Sequence, residues 1–178
     1  QISLTYRCNL SCKMCGIANL LPREEELSTE QLFRIIDEAR QYGIKEVLLT
    51  GGEPFLRDDI FEICTYAHKN GLRSIITTNG ALINKEIAEE LVRSKAGHVH
   101  ISLDGLEPTN DFFRGKGAFK KTVEGIALLN DKRGGRSSFS LGIACTVMED
   151  NVKELSELVK MADSLQVDVI NFQPLVSD

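Results

Sequence analysis

No apolar run in the 178-residue chain approaches the roughly 18 residues that a bilayer-spanning helix needs, so no membrane segment is expected. Collagen-like and Gln/Asn-rich tracts are missing as well, which excludes fibrous and low-complexity classes. Cationic excess is also missing. Lys plus Arg number 21 against 26 Asp plus Glu, a net charge of −5 with a pI near 5.3. Such a chain has no general attraction to phosphate backbones, and a nucleic-acid partner is not expected. Apolar residues are not in short supply. At 42% hydrophobic and 26% charged, the composition is that of a soluble globular domain and too apolar for a disordered one. The length fits one domain, residues 1–178, able to bury a substantial core. No signal peptide is visible. Gln1 is followed at once by a strand-like run, which reads as a segment excised from a longer chain, so that absence says little about export.

Five cysteines stand at 8, 12, 15, 64 and 145, three of them within one short stretch. An odd, clustered set is a poor disulfide framework. It fits a reducing compartment in which thiolates bind metal, and a cytoplasmic location is expected.

Short β-like runs alternate with helical patterns. Strands are expected at Ile2–Tyr6, Val47–Thr50, Ser74–Thr77, Val99–Leu103, Phe139–Val147 and Val169–Gln173. Ser28–Tyr42 reads as a helix with a Ser28/Gln31 capping box, closed by Gly43. Further helices are expected over Asp59–Lys69, from a cap at Asn84, over Phe119–Leu129 ahead of a polar turn at Asp131–Arg136, and from a cap at Asn151. Six β units with five helices, at about 30 residues each, are βαβ units and imply a parallel sheet with right-handed crossovers. The strands alone fit either a doubly wound sheet or an incomplete barrel. In both, loops at the carboxyl ends of the strands build the active site.

The first such loop is Cys8-Asn9-Leu10-Ser11-Cys12-Lys13-Met14-Cys15, with spacing C-x3-C-x2-C. Three thiolates on one loop suit a soft metal centre. A structural zinc site would want a fourth ligand, and no Cys or His follows until Cys64 and His68. A [4Fe-4S] cube held by three thiolates would leave one iron open to a chelating cofactor. A zinc loop completed by Cys64 or His68 is the competing reading, and a zinc-binding interaction module its functional counterpart. Cys64 and Cys145 alternate with apolar neighbours and read as core thiols. A Rossmann nucleotide domain is disfavoured, since no G-x-G-x-x-G follows the first strand.

Three further motifs follow strands two, three and four: Gly51-Gly52-Glu53-Pro54, Thr77-Thr78-Asn79-Gly80 and Ser102-Leu103-Asp104-Gly105. With the cysteine loop, and in this order, they resemble the radical S-adenosylmethionine (SAM) enzymes across essentially the whole chain. The resemblance implies a partial (β/α)6 TIM-like barrel of parallel strands, with the last helix and C-terminal region beyond the segment. It implies a [4Fe-4S] cluster on Cys8, Cys12 and Cys15, and SAM chelating the open iron. The implied chemistry is reductive cleavage of SAM to methionine and a 5′-deoxyadenosyl radical, which removes hydrogen from a substrate. A flavodoxin- or ferredoxin-type electron donor is the implied partner.

Gly51 and Gly52 are expected to allow close backbone approach to the cofactor, with Glu53 accepting from the SAM ammonium group or fixing the loop, and Pro54 stiffening the turn. Ser102 and Asp104, two residues apart, are expected on one side of a strand end, where they suit ribose hydroxyls; Thr78 and Asn79 offer a similar pair. Asn110-Asp111-Phe112-Phe113-Arg114-Gly115 resembles a His-Asp-x-x-Arg-Gly pattern of the molybdenum-cofactor and peptide-maturing branch, with Asn110 where His is usual. Arg114 can pair with the SAM carboxylate. Met14 and Leu175 are candidates for adenine packing. Arg7, Lys13 and the Glu24–Glu26 run are expected to be solvated. His68, His98 and His100 are expected to be structural, the last two sharing one face of strand four. The branch implies a peptide or small-molecule substrate such as a haem or molybdopterin precursor.

Overall fold

The computed structural model describes residues 1–16, 26–134 and 139–175. Glu24, Glu25 and the end of the expected turn at 131–136 lie outside them. The β-like runs form β1 (Ile2–Ser3), β2 (Glu46–Thr50), β3 (Arg73–Thr78), β4 (His98–Ser102), β5 (Ser140–Val147) and β6 (Val169–Pro174). All adjacent pairs are parallel, and the sheet order equals the chain order. Between the strands lie α1 (Thr29–Gln41), α2 (Ile60–Lys69), α3 (Lys85–Arg93), α4 (Glu107–Arg114), α5 (Ala118–Lys132) and α6 (Leu155–Ser164).

A sheet ordered from first strand to last has no topological switch point. With right-handed crossovers, every helix then falls on the same face, as in a barrel wall and unlike a doubly wound sheet. Burial agrees. Leu49, Ile76, Val99, Ile101, Leu141 and Ile143 are fully buried in the helix-covered layer with Leu32, Ile36, Ile63, Leu91, Ile126 and Leu158. The alternate residues Thr50, Thr77, Ser102 and Thr146 face the other, helix-free side. Cys64 and Cys145 are 0% and 1% exposed in the helix-side core, and burial pushes their thiols up to about 11 and about 12. Both are inert core residues.

Local chemistry explains the element ends. Ser28 and Gln31 make the reciprocal capping box of α1, and Asn84 accepts from the Ile87 N–H to start α3. Three expectations need correction. Ladder pairing of β1 covers only Ile2–Ser3, because the chain then peels into the cysteine loop, still tied to β2 by Leu4 N–H to Thr50 O at 2.7 Å. The sixth helix, α4, was not expected. Its eight residues bury Asn110 and Arg114 beside Phe113, which hides the apolar period. Asn151 does not cap α6, which begins at Leu155 behind a 3-10 turn. Its side chain instead accepts from Met148 N–H and donates to Thr146 O and Asp104 O.

Candidate active site

A cavity of about 240 Å³ opens at the carboxyl rim of the strands. Cys8, Cys12 and Cys15 line it together with Met14 from the same loop, Gly51 and Gly52 after β2, Thr78 and Asn79 after β3, Ser102 at the end of β4, Arg114 of α4, and Leu175 after β6. The structure therefore brings the cysteine loop and the strand ends to one place. It adds Thr50, Thr77 and Thr146, which sequence reasoning missed. Each is the inward-facing residue near the end of its strand, a position legible once the strand face is known.

The loop is held by its own backbone and by its neighbours. Cys15 N–H donates to Cys12 O at 3.1 Å, and Lys13 N–H donates to Phe113 O of α4 at 2.8 Å. The Lys13 ammonium lies 3.2 Å from the centroid of the Phe112 ring. Asn79 donates to Asn9 Oδ1 at 2.8 Å and approaches Cys8 Sγ at 3.8 Å, while Leu10 N–H points at the same sulfur at 3.5 Å. Such N–H groups around sulfur tune a thiolate-held cluster. Burial pushes the Cys8 and Cys12 thiols up and the Cys15 thiolate adds to both; the Leu10 N–H pulls the other way at Cys8, and the Arg114 charge does so at Cys12. Without a metal charge these thiols favour their protonated form; a bound cation reverses that.

Gly51 and Gly52 line the cavity, and close packing against the chain between β1 and the cysteine loop also requires them. A Cβ at Gly51 would stand 2.4 Å from Thr5 O, and one at Gly52 2.2 Å from Arg7 O. Gly51, at φ +141°, is also in a backbone region that side chains avoid. Their neighbour Glu53 is fully buried behind the wall. It accepts from Thr78 Oγ1 at 2.7 Å, Asn79 N–H at 2.8 Å and Phe55 N–H at 3.2 Å, and burial pushes its carboxyl up against those bonds. Of the two expected roles, Glu53 holds the loop-fixing one. Pro54, also buried, starts a 3-10 turn.

Asp104 is corrected. It is 0% exposed and does not line the cavity. Strand alternation stops at Ser102, where β4 ends, so the two side chains part. Asp104 Oδ1 accepts from Thr146 N–H at 2.8 Å and Oδ2 from Arg114 Nε at 2.6 Å. A fully enclosed carboxylate has no face for a ribose hydroxyl. Asn110 accepts from Asp104 N–H at 3.1 Å, and its carboxamide nitrogen has no hydrogen-bond partner among the described residues. Glu26 is corrected as well: it bonds Thr5, Arg7 and Arg57 and so is not a free solvated carboxylate.

His100 and His98 lie on the concave side, one and two layers below Ser102 respectively, ring centroids 4.1 Å apart and perpendicular. His100 Nε2 stands 3.4 Å from the Asn171 carboxamide nitrogen. Burial, with the charges of His100 and Arg73, pushes His98 down to about 4, and burial lowers His100 too. An unfolded imidazole protonates near 6.5 while the folded His98 stays neutral to about 4, so the unfolded state binds more protons between. Stability therefore falls as pH drops through that window. After discounting for partial solvent exposure, His98 contributes about 1 kcal/mol of that loss. His98→Gln should flatten the change in urea midpoint between neutral pH and about pH 5. An unchanged slope would rule out His98 as its source.

Three thiols lining one cavity are the donor set that a thiolate-held iron–sulfur cluster takes. Among the described residues, no three His, Cys, Asp or Glu side chains are grouped for one metal ion, although three thiols line one cavity. Cys64 sits on the opposite, helix-covered side, and His68 lies against Gly71, Arg73 and Lys95 away from this rim, so neither completes a zinc site.

A one-sided parallel barrel wall with thiols and polar strand ends at its carboxyl rim defines a cofactor-dependent α/β class. The chain belongs to the radical SAM superfamily, whose family description matches residues 2–163. Members of this superfamily are enzymes that use a [4Fe-4S] cluster and SAM. Fe-coproporphyrin III synthase of Methanosarcina barkeri is 35% identical over 176 residues, 98% of this chain and 43% of that protein. Mycofactocin maturase MftC of Mycolicibacterium smegmatis is 37% identical over 160 residues, 89% of this chain and 40% of that protein. The fold matches that of Streptococcus suis SuiB bound to S-adenosylmethionine, with a TM-score of 0.85 at 22% identity, covering 99% of this chain and 40% of SuiB. The chain spans less than half the length of these relatives. Among the described residues, no helix is long and apolar enough to cross a membrane.

Proposed function

We propose that this chain is the catalytic core of a radical SAM enzyme in which Cys8, Cys12 and Cys15 hold the [4Fe-4S] cluster and the strand ends seat SAM. The observation that carries this is the shared cavity: the three thiols and the ends of β2, β3 and β4 face one another across it. When bound, cluster and cofactor supply one-electron cleavage of SAM and a 5′-deoxyadenosyl radical that abstracts hydrogen from the substrate. The chain's own residues bind and orient. Arg114 offers its guanidinium to the SAM carboxylate, and Ser102 offers its hydroxyl to the polar groups of the nucleoside, whereas the Thr78 hydroxyl is already engaged by Glu53 and the Gly80 N–H. Met14 and Leu175 give apolar surface for the base. The buried Glu53 holds the β2 and β3 loops in register around the cavity. A low-potential donor of the flavodoxin or ferredoxin type supplies the electron.

We place the substrate among tetrapyrrole precursors and the precursors that maturases process, because relatives named as a coproporphyrin synthase and as a maturase lie at 35% and 37% identity. The test is anaerobic purification followed by reduction with SAM present. The expected protein is brown, holds about four iron and four sulfide per chain, and releases 5′-deoxyadenosine. A colourless, zinc-loaded protein that leaves SAM intact would overturn the proposal.

A further inference from the structure

We propose that Asp104 is a positioning residue that presents Arg114 to the carboxylate of SAM. This rests on the reading of the cavity as a SAM site and adds to it a specific role for a side chain that never reaches the cavity. All four polar atoms of Asp104 are engaged, and by separate parts of the fold. Its N–H donates to Asn110 of α4, and its carbonyl accepts from Asn151 ahead of α6. Oδ1 accepts from Thr146 N–H of β5, and Oδ2 from Arg114 Nε of α4. The carboxylate is thereby fixed before any ligand arrives.

Arg114 is fixed by it in turn. Only its Nε is spent on Asp104; among the described residues its two Nη groups carry no hydrogen bond, and the side chain lines the cavity beside Cys12. A guanidinium anchored at Nε and open at its Nη atoms is arranged to take a carboxylate. Asp104 supplies the countercharge that its burial at 10% side-chain exposure needs, and it does so through Nε alone, so both Nη groups remain as donors. A flexible, unanchored arginine would lose rotamer freedom when it met its ligand; here Asp104 has already removed that freedom.

Carboxylate selectivity tests this. Binding of SAM and of decarboxylated SAM is measured by anaerobic equilibrium dialysis on cluster-loaded full-length protein, with iron content as a check. Asp104→Ala should weaken SAM at least tenfold, while decarboxylated SAM binds within about twofold of wild type. Arg114→Ala should do the same, and the double variant should add little to either single loss. Asp104→Asn keeps the side-chain volume and should show the same selectivity, to a smaller degree, should the alanine variant fold poorly. Equal weakening of both ligands, or losses that multiply in the double variant, would overturn the positioning role. So would unchanged SAM affinity in Asp104→Ala. If the wild-type protein holds its cluster but binds no SAM, the cofactor reading falls and takes this inference with it.

Discussion

Cys12→Ala should abolish both cluster loading and 5′-deoxyadenosine release, the largest functional loss available from a single side chain here. A cube of four irons held by three thiolates has no ligand to spare. Two thiolates on a loop of this length leave two irons uncoordinated by protein. No other cysteine can substitute. Cys64 and Cys145 point into the helix-side core, at 0% and 1% exposed, with thiols pushed up to about 11 and about 12. Moving either to the rim would require breaking the sheet. The loop should nevertheless fold, because its anchors are backbone bonds, Cys15 N–H to Cys12 O and Lys13 N–H to Phe113 O, which alanine keeps. The expected protein is therefore folded, colourless and inactive, with a circular dichroism spectrum like wild type. Cys64→Ala serves as the contrast: iron content should stay at the wild-type level while stability drops modestly from the cavity. Retained iron and full nucleoside release in Cys12→Ala would disprove the ligand assignment.

The strands were legible because each is a short apolar run closed by a turn signal, and their alternation with helices implies parallel pairing through right-handed crossovers. The rim was legible for the same reason: chemistry placed just after a parallel strand has one place to go. What local sequence could not show was direction. Ser102 and Asp104 read as neighbours on one face, but β4 ends at Ser102, and Asp104 turns to the Thr146 N–H of β5, a partner 42 residues later. Gly51 and Gly52 read as room for a cofactor. Both do line the cavity, but their missing side chains also make room for the backbone that follows β1, with Thr5 O and Arg7 O in the place of any Cβ. Asn151 read as a cap because Asn often caps; its carboxamide nitrogen is taken by the Asp104 carbonyl, 47 residues earlier, as well as by the nearby Thr146 O. In all three cases the deciding partner is distant in sequence, and propensity contains no information about it.

Glu53→Ala should be the most destabilising change at the rim, and for a reason separate from ligand binding. The carboxylate is fully enclosed, and three donors point at it: Thr78 Oγ1, Asn79 N–H and Phe55 N–H. Its own N–H donates to Arg7 O of the cysteine loop at 2.8 Å. One residue thus ties the loops after β1, β2 and β3. Alanine keeps the backbone tie but leaves the three donors facing a small void. Each unsatisfied buried donor costs about 1–3 kcal/mol, so a loss of roughly 3–5 kcal/mol is expected after some relaxation. Glu53→Gln discriminates between charge and shape. Its single oxygen serves one or two of the donors, while its NH2 must face another donor, so it should fall between wild type and alanine. Urea midpoints would rank the three. The site should feel it too: Asn79, freed from Glu53, would hold Asn9 and Cys8 less firmly, and iron uptake at limiting iron should slow in the same order. A midpoint for Glu53→Ala within about 0.5 kcal/mol of wild type would show that water enters and satisfies those donors, and that the three loops are held together by the backbone alone.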